Sequence, residues 1–129
     1  MLEDVLMQPW ERLVDLDLAV ARLMADWLGV QPRVERVSAL GIEGGQTDRL
    51  VNICRHFGAT KYLSGSAARD YLDIALFENH GIAVEWQEFA HPVYPQLHGT
   101  FAPYMSAVDL ILNCGAESGA VLEGVSRVG

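Results

Sequence analysis

Between Thr47 and Phe89 the apolar pattern changes period three times, and a turn residue stands at each change. Thr47-Asp48 opens a helix, with Thr47 as N-cap and Asp48 in the first turn. It carries Leu50, Val51, Ile53, Cys54 and Phe57 inward and stops at Gly58. Thr60 to Leu63 reads as a strand, broken at Ser64-Gly-Ser66. A further helix is expected from Ala67 to Asn79, stopped by Gly81. Ile82 to Phe89 then reads as a strand with Ile82, Val84, Trp86 and Phe89 inside. Helix and strand alternating at this spacing can bury both faces only through crossovers onto a parallel sheet. The expected fold is therefore α/β: one domain over residues 1–129, with a small, mainly parallel sheet flanked by helices.

The flanks are helical. Leu13, Leu16, Val20, Leu23, Met24 and Trp27 form one stripe between Pro9 and Leu28, with Pro9 as entry and Gly29 as stop. Arg33 to Val37 alternates and reads as a short strand, followed by a loop marked by Gly41, Gly44 and Gly45. From Ala90 to Tyr104 no period survives among three prolines, two histidines and three aromatics. A loop of that length in a small domain is a place to look for function. Ser106 then caps a helix with Asp109 as its capping-box partner, Gly115 ends it, and Ala116 to Val125 adds a short helix.

Composition narrows the function classes. A chain of 129 residues, half of them hydrophobic, buries roughly 65–70% of its unfolded surface, so it needs neither metal nor disulfide to fold. No run reaches the ~18 apolar residues of a membrane span. Met1-Leu-Glu-Asp lacks the basic and apolar regions of a secretory signal, so the chain is read as cytoplasmic. Nine basic residues, eight of them Arg, are scattered among 17 acidic ones. That balance argues against nucleic acid, whose phosphates demand clustered cations. Cys54 and Cys114 are far apart in apolar surroundings and read as reduced core residues. Four histidines and two cysteines without ligand spacing imply no metal, and no cofactor is called for.

Two segments carry the candidate chemistry. In the first, Tyr62 to Asp73, a Ser64-Gly65-Ser66 turn lies where a parallel strand hands over to a helix, the usual ligand edge of such sheets. Free N–H groups there, the Ser64 and Ser66 hydroxyls and the Arg69 cation suit an anionic small molecule. The plainer reading is that Ser66 caps the helix. In the second, His91, Tyr94 and Gln96 place a titrating group, a phenol and an amide within six residues, suited to acid–base work or to holding a polar substrate. The plainer reading is a proline-shaped loop pinned by its aromatics. His56 and His80 stand at helix C-termini, where an imidazolium favours the dipole, and His98 is given no role.

The same segments resemble the WbqC-like family. Lys61 to Asp73, Leu76 to Trp86, His91-Pro-Val-Tyr-Pro-Gln96, Phe101 to Leu110 and Asn113-Cys-Gly115 follow its motifs in order, and Ser38-Ala-Leu40 and Thr47 to Cys54 match upstream. The resemblance runs from Trp10 to Glu117 and places Tyr62, Ser64, Gly65, Tyr71, His91, Tyr94, Gln96, Ser106, Asp109 and Gly115 on motif positions. It implies a bacterial protein of surface-polysaccharide (O-antigen) biosynthesis, a transferase using a sugar nucleotide or an activated acyl or amino donor. His91 and Tyr94 would be catalytic. Tyr62, Ser64, Gly65, Ser66, Arg69 and Gln96 would bind the ligand. Members are typically twice as long and begin with a Gln-Pro segment that Met7-Gln-Pro-Trp10 does not supply, so only the latter half is matched. The alternative is a non-catalytic binding or interaction module, a homo-oligomer or the mate of a partner chain that carries the catalytic half.

Overall fold

A computed structural model describes residues 1–124 and, by backbone only, 126–128. Its elements are helices α1 (Leu2–Leu6), α2 (Leu13–Trp27), α3 (Gln46–His56), α4 (Ile74–Asn79), α5 (Ala107–Cys114) and α6 (Ser118–Glu123), with strands β1 (Lys61–Gly65), β2 (Ala83–Phe89) and β3 (Ser126–Val128). The fold class is α/β. The chain divides into two compact units. One joins Met1–Arg33 to the segment running from His91 through α6, and the other joins Val34–Ala90 to β3.

The second unit holds the sheet. β1 and β2 pair in parallel from Lys61↔Ala83 to Gly65↔Gln87, and β3 adds to β2 antiparallel. Parallel neighbours need a crossover, which Ser66–Asn79 supplies. Val51 and Cys54 of α3, Leu72, Phe77 of α4 and Ile82 form the core, with Tyr62, Val84 and Trp86 packed against it. Phe77 is wholly buried, and the Tyr62 ring stacks on it at 4.9 Å between centroids. Burial pushes the Cys54 thiol up, and both cysteines are free; Cys54 is buried and Cys114 half-buried. Phe89, expected inside, is 47% exposed.

Three local expectations change here. The helix expected over Ala67–Asn79 is two pieces, a 3-10 turn over Ser66–Asp70 and then α4. Asp73 divides them because its carboxylate accepts the Leu76 N–H at 3.1 Å, starting a new helix. Thr47 does not cap α3; Gly45 holds the N-cap position and the Thr47 hydroxyl accepts the Asp73 N–H instead. Arg33–Val37 forms no strand. Residues 31–36 are irregular and run into a 3-10 turn at Val37–Ala39, and among the described residues no strand pairs with them.

The first unit is helical. α2 starts at Leu13 rather than Pro9, because α1 precedes it and the Trp10 indole turns back to donate to the Val5 carbonyl at 2.7 Å. Gly29, with φ of +72°, stops α2 as expected. Of the predicted stripe only Met24 is buried, while Leu13 is 72% exposed. Ser106 caps α5 by accepting the Val108 N–H. α6 ends at Glu123; Val125, expected to extend it, lies outside the described residues.

Candidate functional site

The long loop is organised by one carboxylate. Asp109 sits in the first turn of α5, and its Oδ2 accepts from the Tyr94 hydroxyl at 2.8 Å and from Gln96 Nε2 at 2.9 Å. Its Oδ1 accepts from Asn113 Nδ2 at 3.2 Å, one helical turn on. Asp109 is thus not a capping-box partner: its side chain faces the loop rather than the Ser106 N–H, because three donors there outweigh one.

The amides on either side extend the network into the backbone. Gln96 donates to the Ala102 carbonyl at 3.0 Å and accepts the Ala102 N–H at 2.8 Å, closing residues 96–102 into a loop. Asn113 accepts the Leu97 N–H at 3.0 Å. Both ends of Leu97–Phe101 are therefore tied to groups bonded to Asp109. A cleft of about 390 Å³ opens beside them, with Asp109, Gln96, Asn113, His98, Thr100 and Met105 among its walls. Tyr94 is 6% exposed. Burial, then the bond to Asp109, push its phenol above the ordinary tyrosine range, so at neutral pH it is a donor that holds the carboxylate.

His91 is half-buried in an aromatic cluster, with the rings of Tyr104, Tyr94 and Phe101 centred 5.2, 6.0 and 6.0 Å away. Its Nδ1 bonds the Pro92 carbonyl at 2.8 Å, which makes Nδ1 the protonated nitrogen.

The other candidate segment lies in the second unit. Tyr62 and Ser64 are half-buried, and Gly65, Ser66 and Arg69 are exposed. Ser66 opens a five-residue 3-10 turn, not an α-helix. The Arg69 guanidinium lies 4.9 Å from the centre of the Trp86 ring and 4.0 Å from the Glu88 carboxylate. The structure thus brings His91, Tyr94 and Gln96 into one unit and Tyr62 to Arg69 into the other.

The model of the WbqC-like protein family matches residues 1–121. The chain belongs to this family. An uncharacterised protein of Mycobacterium tuberculosis is 36% identical over 112 residues, covering 84% of this chain and 48% of the relative. This WbqC-like chain spans about half the length of the curated relative it matches. No solved structure matches it.

Among its described residues, no group of three or more His, Cys, Asp and Glu side chains is placed to hold a metal ion. No described helix is long and apolar enough to cross a membrane. Sequence reasoning read Asp109 only as a capping residue and gave Asn113, His98 and Thr100 no place in a site, although all four line this cleft. One signal was available: Asp109 and Asn113 are polar residues four apart on an otherwise apolar helix, hence on one face.

Proposed function

We propose that this chain is the ligand-holding part of a WbqC-like transferase of bacterial surface-polysaccharide assembly, with a sugar nucleotide or an activated acyl or amino compound as donor. One observation carries the reading: the Asp109 carboxylate, held by Tyr94, Gln96 and Asn113, at the wall of a 390 Å³ cleft. Sugar hydroxyls both donate and accept, and their C–H faces are apolar. A carboxylate flanked by two amides and a threonine hydroxyl, beside Leu97, Met105 and Leu112, matches that mixture. His91 is assigned the proton transfer, because an imidazole is the side chain suited to it and the bond from Nδ1–H to the Pro92 carbonyl fixes the orientation of the ring.

Calorimetry against a panel of sugar nucleotides and free sugars tests the reading. Asp109→Ala should weaken binding by about tenfold or more, the cost of one charge-assisted contact. A full-length protein that binds no member of the panel would sink the proposal. His91→Ala should abolish turnover in the full-length protein, and full activity there removes the acid–base role. The second reading is a non-catalytic binding module, favoured by the 48% coverage of the mycobacterial relative. It predicts the same binding by this chain, turnover only where the remaining half or a partner supplies the catalytic groups, and activity retained in His91→Ala.

A further inference from the structure

The second unit contains a cavity of about 360 Å³ lined by Gln46, Thr47, Leu50, Tyr71 and Leu72. None of the five carries a charge. Thr47 is nine-tenths buried. Its oxygen accepts the Asp73 N–H at 3.3 Å, and among the described residues no protein atom accepts its hydroxyl proton. The Gln46 carboxamide and the Tyr71 phenol likewise have no hydrogen-bond partner among the described residues. Tyr71 keeps 74% of its surface exposed at this wall, although a Tyr ring normally seeks cover.

The backbone that presents Gln46 is held under strain. Gln46 has φ of +44°, a region that non-glycine residues seldom occupy. The loop before it is clamped to α3, with Arg49 Nε donating to the Gly44 carbonyl at 2.8 Å and Asn52 donating to the Glu43 carbonyl at 3.2 Å. These hydrogen bonds hold the backbone at Gln46 in this conformation at the edge of the cavity before any ligand arrives.

We propose that this cavity is a nucleobase site. The lining supplies what a neutral heteroaromatic ring requires. Tyr71 offers a ring face for stacking, and Leu50 and Leu72 an apolar floor. Gln46 offers a paired donor and acceptor for the base edge, and the Thr47 hydroxyl a donor for a ring nitrogen or carbonyl. An aromatic amino-acid side chain would leave the carboxamide and the hydroxyl unanswered. A phosphate would find no cation among the lining residues. The assignment needs the second unit alone and stands apart from the transferase reading, since the probe is a bare nucleoside.

The test is an amide-shift titration of the 129-residue chain with uridine, cytidine, adenosine and guanosine, with ribose and inorganic phosphate as controls. At least one nucleoside should bind with Kd on the order of 1 mM, as befits a small fragment, and shift Gln46, Thr47, Leu50 and Leu72. Tyr71→Ala should weaken that binding about tenfold, whereas Tyr71→Phe keeps it within about threefold. Gln46→Ala should flatten the preference among bases. Silence with all four nucleosides up to roughly ten times that Kd overturns the proposal. So do equal shifts with ribose or phosphate, shifts that avoid the cavity, or unchanged affinity in a folded Tyr71→Ala protein.

Discussion

Asp109 shows how much a single side chain can organise. Three donors converge on it, two of them on one oxygen. Asp109→Asn keeps the shape but turns an amide N–H₂ toward donors. Leaving Tyr94 or Gln96 unsatisfied should cost about 2 kcal/mol, read as a lower denaturant midpoint with an unchanged slope. The same variant should lower the Tyr94 pKa, because both the hydrogen bond and the charge of Asp109 hold the proton on. Ultraviolet pH titration of the tyrosines checks this. In the native chain the raised Tyr94 pKa has a direct consequence for stability. Below about pH 10 the phenol is protonated in both states and its contribution is whole. Above that, the unfolded chain loses the proton first, so stability falls as pH rises toward the folded pKa. Alkaline unfolding that starts later in Tyr94→Phe would bear this out.

At the scale of elements, two junctions decide the local architecture. Asp73 separates the 3-10 turn from α4, and it was legible only as an acidic residue inside an apparent helix. Its role depends on the Leu76 N–H, which lies in the first turn of α4 and so has no partner within the helix. Asp73→Ala should cost about 1 kcal/mol and lower the melting temperature by about 4 °C. Gly119 is the second junction. A Cβ built there would stand 2.9 Å from the Leu28 carbonyl oxygen, so α6 lies against the end of α2 with no room for a methyl group. Gly119→Ala should destabilise the first unit by about 1–3 kcal/mol, despite alanine's better helix propensity. A melting temperature equal to or above that of the parent would show that the α2 end yields.

At the scale of the molecule, the acidic balance sets what the surface meets. With 17 acidic residues against nine basic ones, the chain should show no anisotropy change with duplex DNA even at low salt. Much of the fold was legible in the residues alone. Periodicity and glycines located α3, β1, β2 and α5, because burial patterns and positive-φ stops are local properties of a chain. The parallel pairing followed from their alternation. The failures share a cause. Arg33–Val37 has strand periodicity but, among the described residues, joins no sheet, and a strand exists only within one. Thr47 and Asp109 both sit where a cap belongs, yet each side chain turns to a distant segment, to Asp73 and to Tyr94. The sequence by itself determined the class of fold, the punctuation of its elements and the family. Only the tertiary structure decided which polar groups meet, because hydrogen bonds across 15 or 26 residues leave no period in the chain.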